Sequence, residues 1–139
     1  MHFDTAVDVA ASPETVWNIL IDVERWPGMT ASVDRVELLD APLALSSRAR
    51  LHQPKLPAAI WTVTGFEENR TFTWESRSPG LTTVAAHEIV PNPDGTATVR
   101  LTVDQKGPLA PVFALLMGRL TRRYVTLEAN GLKAKAEHP

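Results

Sequence analysis

Residues 107–135, GPLAPVFALLMGRLTRRYVTLEANGLKAK, form the longest stretch of helical periodicity in the chain. At 100° per residue, the large apolar side chains gather on one arc about 120° wide, the width of a helix face that packs on a core. These side chains are Leu109, Val112, Phe113, Leu116, Leu120, Tyr124 and Leu127. Such a helix reaches about 38 Å at 1.5 Å per residue. The rest of the chain must therefore supply a surface long enough to cover it.

Size and charge narrow the class of protein. A chain of 139 residues is long enough to bury a core, and its length predicts one domain over residues 1–139. The 14 basic and 16 acidic residues nearly balance, which argues against nucleic acid as a partner because phosphate backbones select basic surfaces. The sequence has no cysteine, no signal-peptide pattern and no apolar run long enough to span a bilayer. We expect a cytoplasmic protein without membrane insertion.

The first 27 residues predict a strand followed by short helices. Residues 2–10 alternate between mainly apolar and mainly polar side chains, and this two-residue period is typical of a half-buried strand. Ser12, Pro13 and Glu14 then form a strong helix start, with a side-chain acceptor at the N-cap and a proline in the first turn. This helix must end before Pro27, and residues 22–26 can form a separate helical turn.

Residues 33–105 predict six further strands, because alternating segments are separated by turns rich in proline, glycine, asparagine and aspartate. The predicted strands are 33–40, 47–53, 59–67, 70–77, 81–91 and 96–105. No helical segment lies between them, so short antiparallel connections are favoured. Together with the first strand, they predict an α+β fold in which a curved, seven-stranded antiparallel sheet receives the long C-terminal helix.

The alternation also assigns one face of each strand to the concave side of the sheet, toward the long helix. That face is predicted to carry Ala49, Leu51, Gln53, Trp61, Val63, Phe72, Trp74, Thr83, Ala85, His87, Ile89, Val99, Leu101 and Val103. The opposite face carries mainly threonine, arginine and glutamate, which suit a solvated outer surface.

Three motifs accompany this order of elements. The first is VAASPETVW at residues 9–17 with DVERWP at 22–27, and the second is Gln53-Pro54 followed by WTV at 61–63 and FTWE at 72–75. The third is RRY at 122–124 with Glu128. Together they resemble the START-like helix-grip (SRPBCC) superfamily, and within it the bacterial polyketide cyclase/dehydrase-like group. The resemblance implies a hydrophobic cavity between sheet and helix that takes lipids, polyketides or other apolar molecules. It implies no particular catalytic residue.

Aromatic side chains and one histidine of the concave face form the centre of the candidate site. Trp61, Phe72 and Trp74 either fill the core or line a cavity, where they would stack on a ring or an acyl chain. The ring nitrogens of His87 need partners when buried. This histidine is either a satisfied core residue or a cavity group, and as a cavity group it is the candidate general acid or base.

The long helix and one loop add further candidate ligand contacts. Arg123 falls inside the apolar arc, where it must snorkel, pair with an acid or recognise a ligand carboxylate or phenolate. Tyr124 either packs at the edge of the arc or donates its hydroxyl to the cavity. Gln53 either satisfies the backbone of its own loop or reaches the same space. Leu116 and Leu120 complete the predicted ligand-binding set.

The opposite side of the long helix is also apolar. It carries Ala114, Leu115, Gly118, Val125 and Leu132, which either are scattered exposed residues or pack on a partner, most simply a second copy. A glycine in a helix interior costs about 1 kcal/mol relative to alanine. A close approach of another segment at Gly118 would offset that cost.

Three functions follow as alternatives. The first is binding of a small apolar ligand. The second is a cyclase or dehydratase, in which the cavity folds a polyketide-like substrate and His87 moves protons. The third is a module that binds a partner or dimerises through Leu115 and Val125. The four histidines lack metal-ligand spacing, and no phosphate-binding or nucleophile motif occurs. The sequence therefore predicts no metal and no cofactor.

Overall fold

A curved antiparallel sheet and a long C-terminal helix make up most of the computed structural model, which describes residues 1–138. The strands are β1 (His2–Val9), β2 (Arg35–Leu38), β3 (Arg48–His52), β4 (Ala59–Glu67), β5 (Thr71–Ser78), β6 (Leu81–Pro91) and β7 (Ala97–Lys106). The helices are α1 (Pro13–Ile21), a 3₁₀ helix (Val23–Gly28) and α2 (Ala110–Glu137). The predicted fold class is confirmed, and each predicted strand ends within two residues of an observed strand end.

The sheet has the order β1-β7-β6-β5-β4-β3-β2, and every neighbouring pair is antiparallel. Strands β2 to β7 therefore follow one another as a meander, as short turns require. β1 joins the far edge, where His2 pairs with Asp104 and Val9 pairs with Ala97. The first strand in the sequence is thus paired with the last strand.

The segment after β1 folds for the local reasons that the sequence indicates. The Ser12 hydroxyl accepts a hydrogen bond from the Thr15 backbone N–H at 3.2 Å, which caps α1. The helix then buries Val16, Trp17 and Leu20. Its last turn accepts a hydrogen bond from Trp26, whose indole Nε1 lies 3.0 Å from the Leu20 carbonyl. This bond fixes the 3₁₀ helix against α1 and points Trp26 into the core.

The predicted concave face is the buried face of the sheet. Leu51, Val63, Phe72, Trp74 and Ile89 are each at most 5% exposed and belong to one apolar cluster with α1 and α2. Alternation along the strands was sufficient to identify this face, because each strand has only two sides.

The face of α2 was predicted wrongly. Its buried residues are Ala110, Tyr124, Val125, Ala129, Leu132 and Ala136. At 100° per residue, the centre of this face is rotated by about 130° from that of the predicted arc, and only Tyr124 belongs to both. Leu109, Val112 and Leu116, predicted to be buried, are 50%, 52% and 73% exposed. Val125 and Leu132, predicted to lie outside, are 8% and 0% exposed.

Close approach explains why small side chains form the buried face. A Cβ atom at Gly131 would lie 2.1 Å from the Met29 carbonyl oxygen, so the helix touches the backbone that follows the 3₁₀ helix. Glycine permits this distance, whereas any side chain at this position would hold the helix away. At Gly118 the neighbour is a large side chain instead, because an added Cβ atom would meet the Phe3 ring at 3.8 Å.

No helix among residues 1–138 combines the length and the apolar character needed to cross a membrane.

Candidate functional site

A cavity of about 390 Å³ lies between the sheet and α2. Strands β3 to β7 form its floor and walls, the loop 53–58 closes one side, and α2 covers it with Phe113, Thr121, Tyr124, Val125 and Glu128. The exposed lining residues mark the rim, which consists of Pro57, Ala58, Ile60, Arg77 and Ser78. The buried lining residues mark the interior, which consists of Trp26, Val33, Leu51, Trp61, Trp74, His87, Gln105, Tyr124 and Val125.

Aromatic rings form one wall of the interior. The Trp74 ring centroid lies 5.7 Å from that of Trp61 and 5.3 Å from that of Trp26. Phe72 packs edge-on against Trp74 at 5.0 Å and is fully buried, but it does not line the cavity. Of the three predicted aromatic candidates, two therefore face the cavity and Phe72 supports them from behind.

His87 is both a satisfied core residue and a cavity residue. Its ring is 3% exposed and stacks on Phe72, with the ring centroids 4.2 Å apart. Nδ1 lies 2.9 Å from the Phe72 carbonyl oxygen, and Nε2 lies 3.1 Å from Oε1 of Glu128 on α2. Both ring nitrogens thus have partners, and the ring also lines the cavity.

The hydrogen bonds of His87 determine how protons are held. A carbonyl oxygen only accepts, so Nδ1 carries a hydrogen and donates it to Phe72. The contact between Nε2 and Glu128 then needs one more proton, which sits on the imidazole or on the carboxyl group. In both arrangements the pair shares one proton and has no net charge. A neutral proton donor and acceptor therefore faces an apolar cavity.

The loop after β3 is tied to its surroundings by two predicted site residues. The Tyr124 hydroxyl donates to the Pro54 carbonyl oxygen, and the Gln53 side chain donates to the Ser32 carbonyl oxygen at 3.3 Å. Both side chains also line the cavity. Burial, and then the negative charge of Asp34, raises the pKa of the Tyr124 hydroxyl above its ordinary value, while Arg123 acts in the opposite direction.

Two buried polar atoms of the interior have no hydrogen-bond partner among residues 1–138. These atoms are Nε1 of Trp61 and Oε1 of Gln105. Gln105 was not predicted as a site residue, although it continues the alternation of Leu101 and Val103 on β7. Glu128 was also missed, although it follows Tyr124 by one helical turn. A correct helix rotation would have identified it.

Three predicted contacts on α2 do not reach the cavity. Leu116 is 73% exposed, Arg123 is exposed, and the half-buried Leu120 is not part of the wall. The rotation of the helix is the reason, because it turns this arc toward solvent. An arginine there keeps its hydration and needs neither a buried acid nor a ligand.

The described residues contain no group of three or more histidine, aspartate or glutamate side chains that could hold a metal ion.

Comparison with known proteins shows a match over nearly the whole chain. The model of a family described as "Polyketide cyclase / dehydrase and lipid transport" matches residues 1–137.

Solved structures with the same fold include the Zhui aromatase/cyclase from a Streptomyces strain, with a TM-score of 0.80 and 18% identity over 99% of this chain and 93% of that chain. A START superfamily protein from Mycobacterium smegmatis gives a TM-score of 0.74 and 20% identity over 96% and 97% of the two chains. A hypothetical protein from Helicobacter pylori gives a TM-score of 0.80 and 14% identity over 97% of this chain and 86% of that chain. At these identities, the similarity establishes the fold alone.

Proposed function

Because the chain belongs to the polyketide cyclase/dehydrase and lipid transport family, we propose that it binds a small apolar ligand in the cavity beneath α2. The ligand class is lipid-, aromatic- or polyketide-like. The observation that carries the proposal is the cavity itself. Its volume of about 390 Å³ falls in the range of roughly 300–1,000 Å³ that is usual for small-molecule sites.

The composition of the wall supports this class of ligand. Trp61 and Trp74 offer ring faces for stacking, and Val33, Leu51 and Val125 add aliphatic surface. Polar contacts are few, as in most small-molecule sites. Of the residues predicted from the sequence, we propose Gln53, Trp61, Trp74, His87 and Tyr124 as ligand contacts.

Mass spectrometry of the purified protein tests the proposal. Native spectra should show a bound mass that denaturation releases as an apolar compound. Ala85→Phe fills the cavity from β6 and should remove that mass, whereas Ala86→Phe adds the same ring on the opposite face of the strand and should retain it. A native spectrum without a bound mass, together with no binding of the fluorescent hydrophobic probe N-phenylnaphthylamine, would contradict ligand binding.

A cyclase or dehydratase is the second candidate, and the His87–Glu128 pair is the observation that favours it. The pair holds a shared proton at the cavity wall, where a general acid or base must stand. Apolar walls around it would hold a flexible substrate in one folded shape. Loss of water across a C–C bond and ring closure by carbon–carbon bond formation both need such proton transfers.

Conservative variants of the pair separate the enzyme from the binding protein. With a polyketide-like β-hydroxy ketone as substrate, wild-type protein should accelerate dehydration over buffer. Glu128→Gln and His87→Gln should each lower that rate by about 10²- to 10⁴-fold while leaving affinity for N-phenylnaphthylamine within a few fold. Equal rates for wild type and both variants would remove the pair from any mechanism.

A third candidate is association of two copies through the outer surface of α2. Leu109, Val112, Leu115 and Leu116 are 50–85% exposed on the N-terminal half of the helix, and a second copy is the simplest partner for such a surface. Val125, which was predicted to share this surface, is buried and takes no part in it.

A further inference from the structure

The two unpartnered polar atoms of the cavity constrain the chemistry of its ligand. Trp61 is 9% exposed and Gln105 is 4% exposed, and within the described part of the chain neither the indole Nε1 nor the carboxamide Oε1 has a hydrogen-bond partner. Both residues line the cavity. Because buried polar groups nearly always have a partner, each atom marks a position where a ligand group or a water molecule must bind.

The two atoms belong to one row of residues across the concave face. Gln105 on β7 pairs with Thr83 on β6, and Thr83 pairs with Ser76 on β5. The register of β4 on β5 places Trp61 beside Ser76 at the end of this row. All four residues line the cavity and all four carry a polar group. We call Gln105, Thr83, Ser76 and Trp61 the polar row.

The next row along the strands is apolar. It consists of Val103, Ala85, Trp74 and Val63, which pair in this order across β7, β6, β5 and β4. A ligand on this row would rest an apolar body on Trp74 and turn one edge toward the polar row. Trp61 and Gln105 stand three strands apart, which is about 14 Å between their Cα atoms at the usual strand spacing. One small polar group cannot serve both.

The charges of the wall favour a neutral ligand. Arg77 is the one arginine or lysine of the described wall, and it stands exposed at the rim beside Glu75. In the interior, His87 and Glu128 neutralise each other. A ligand carboxylate placed deep in the cavity would lose its hydration without gaining a cation.

Building on the proposed function, we propose that the cavity selects a neutral aromatic or alicyclic compound with at least two oxygen groups on one edge. At one end, a carbonyl or hydroxyl oxygen accepts the hydrogen of Trp61 Nε1. At the other end, a hydroxyl group donates to Gln105 Oε1. A hydroxyl also matches the carboxamide in its flipped orientation, because it can accept from the amide nitrogen. Plain hydrocarbons and fatty acyl chains satisfy neither position.

Two probes of the same size test this selectivity. They are naphthalene and a naphthalenediol with one hydroxyl group on each ring along the same edge, each measured by displacement of fluorescent N-phenylnaphthylamine. Wild-type protein should bind the diol at least about 10-fold more tightly, because two neutral hydrogen bonds are gained. Gln105→Leu and Trp61→Phe should each reduce this preference by about 3- to 10-fold. Thr102→Val, on the opposite face of β7, is the matched control and should retain the full preference.

The outcomes separate this inference from the proposed function. Equal binding of both probes by wild type overturns the inference, because water then satisfies the polar row as well as a ligand does. The same conclusion follows if the diol is preferred but neither Gln105→Leu nor Trp61→Phe changes the preference. In both cases, binding of N-phenylnaphthylamine would still support the cavity as a ligand site. Failure of wild-type protein to bind any of the three compounds would instead contradict the proposed function.

Discussion

Gly131 is a residue at which α2 comes close to another segment of backbone. A side chain there would meet the Met29 carbonyl oxygen at 2.1 Å and the Met29 carbonyl carbon at 2.9 Å. Backbone atoms cannot move aside as a flexible side chain can. The position therefore sets the distance between α2 and the 3₁₀ helix, and with it the depth to which the helix covers the sheet.

We predict opposite effects of alanine at two glycines of the same helix. Gly131→Ala should lower the free energy of unfolding by about 1–3 kcal/mol, the usual cost of overpacking. Gly118→Ala should raise it by up to about 1 kcal/mol, because alanine favours the helix and meets only the Phe3 ring at 3.8 Å. Urea unfolding followed by circular dichroism measures both. Similar effects of the two substitutions would contradict the close approach.

Tyr124 gives a second residue-level prediction because it is the only tyrosine of the chain. Burial and Asp34 raise the pKa of its hydroxyl above the ordinary value of 10.0. A raised folded-state pKa means that the neutral hydroxyl contributes stability below pH 10, and that this contribution is lost as pH rises through the folded-state pKa. Absorbance titration should therefore give a higher phenolate midpoint in native protein than in urea. Coincident midpoints would contradict the burial of this hydroxyl.

At the scale of elements, α2 shows how far side-chain size can mislead a sequence-based prediction. The leucines of residues 109–120 dominate any search for an apolar arc, yet Leu109 and Leu116 of the predicted arc are 50% and 73% exposed. The real contact face contains Ala110, Ala129 and Ala136. Small residues bury little area each, so they add little to a hydrophobic pattern, but they allow the closest packing. The helix was predictable, and its rotation was not.

Strands do not present the same difficulty. A strand residue points to one of two faces, so a single buried aromatic residue such as Trp74 fixes the side for its whole strand. The alternation of β4 to β7 therefore predicted Trp61, Trp74 and His87 on the concave face correctly. The alternation did not indicate which of these residues line the cavity, because that depends on the position of α2 over the sheet.

The exposed half of α2 carries the prediction for partner binding. Wild-type protein should sediment as a dimer if a second copy covers this surface, and Leu115→Asp should shift it toward monomer. Thr126→Asp places the same charge on an exposed position of the same helix, beyond the four apolar residues, and is the control. Sedimentation of wild type as a monomer at high concentration would exclude dimerisation through α2.

At the scale of the whole molecule, the order of strands β2 to β7 followed from the turns alone. Short connections rich in proline and glycine force neighbours in sequence to be neighbours in the sheet, and the order β7-β6-β5-β4-β3-β2 obeys this rule. The pairing of Trp61, Ser76, Thr83 and Gln105 in one row did not follow from any local pattern. It depends on the register between four strands and on the bulge between Val63 and Gly65, which sequence periodicity does not specify.

The pairing of β1 with β7 also determines when the sheet can be completed during synthesis of the chain. His2 cannot pair with Asp104, nor Phe3 with Val103, until β7 has been synthesised. At about 5–20 residues per second, the intervening chain takes on the order of 5–20 s to make. Throughout that interval the apolar face of the meander has neither its edge strand nor α2, which arrives last. The tryptophans made before β7 and α2 therefore stay uncovered until these elements are complete, and this is the period in which chaperone binding would matter most.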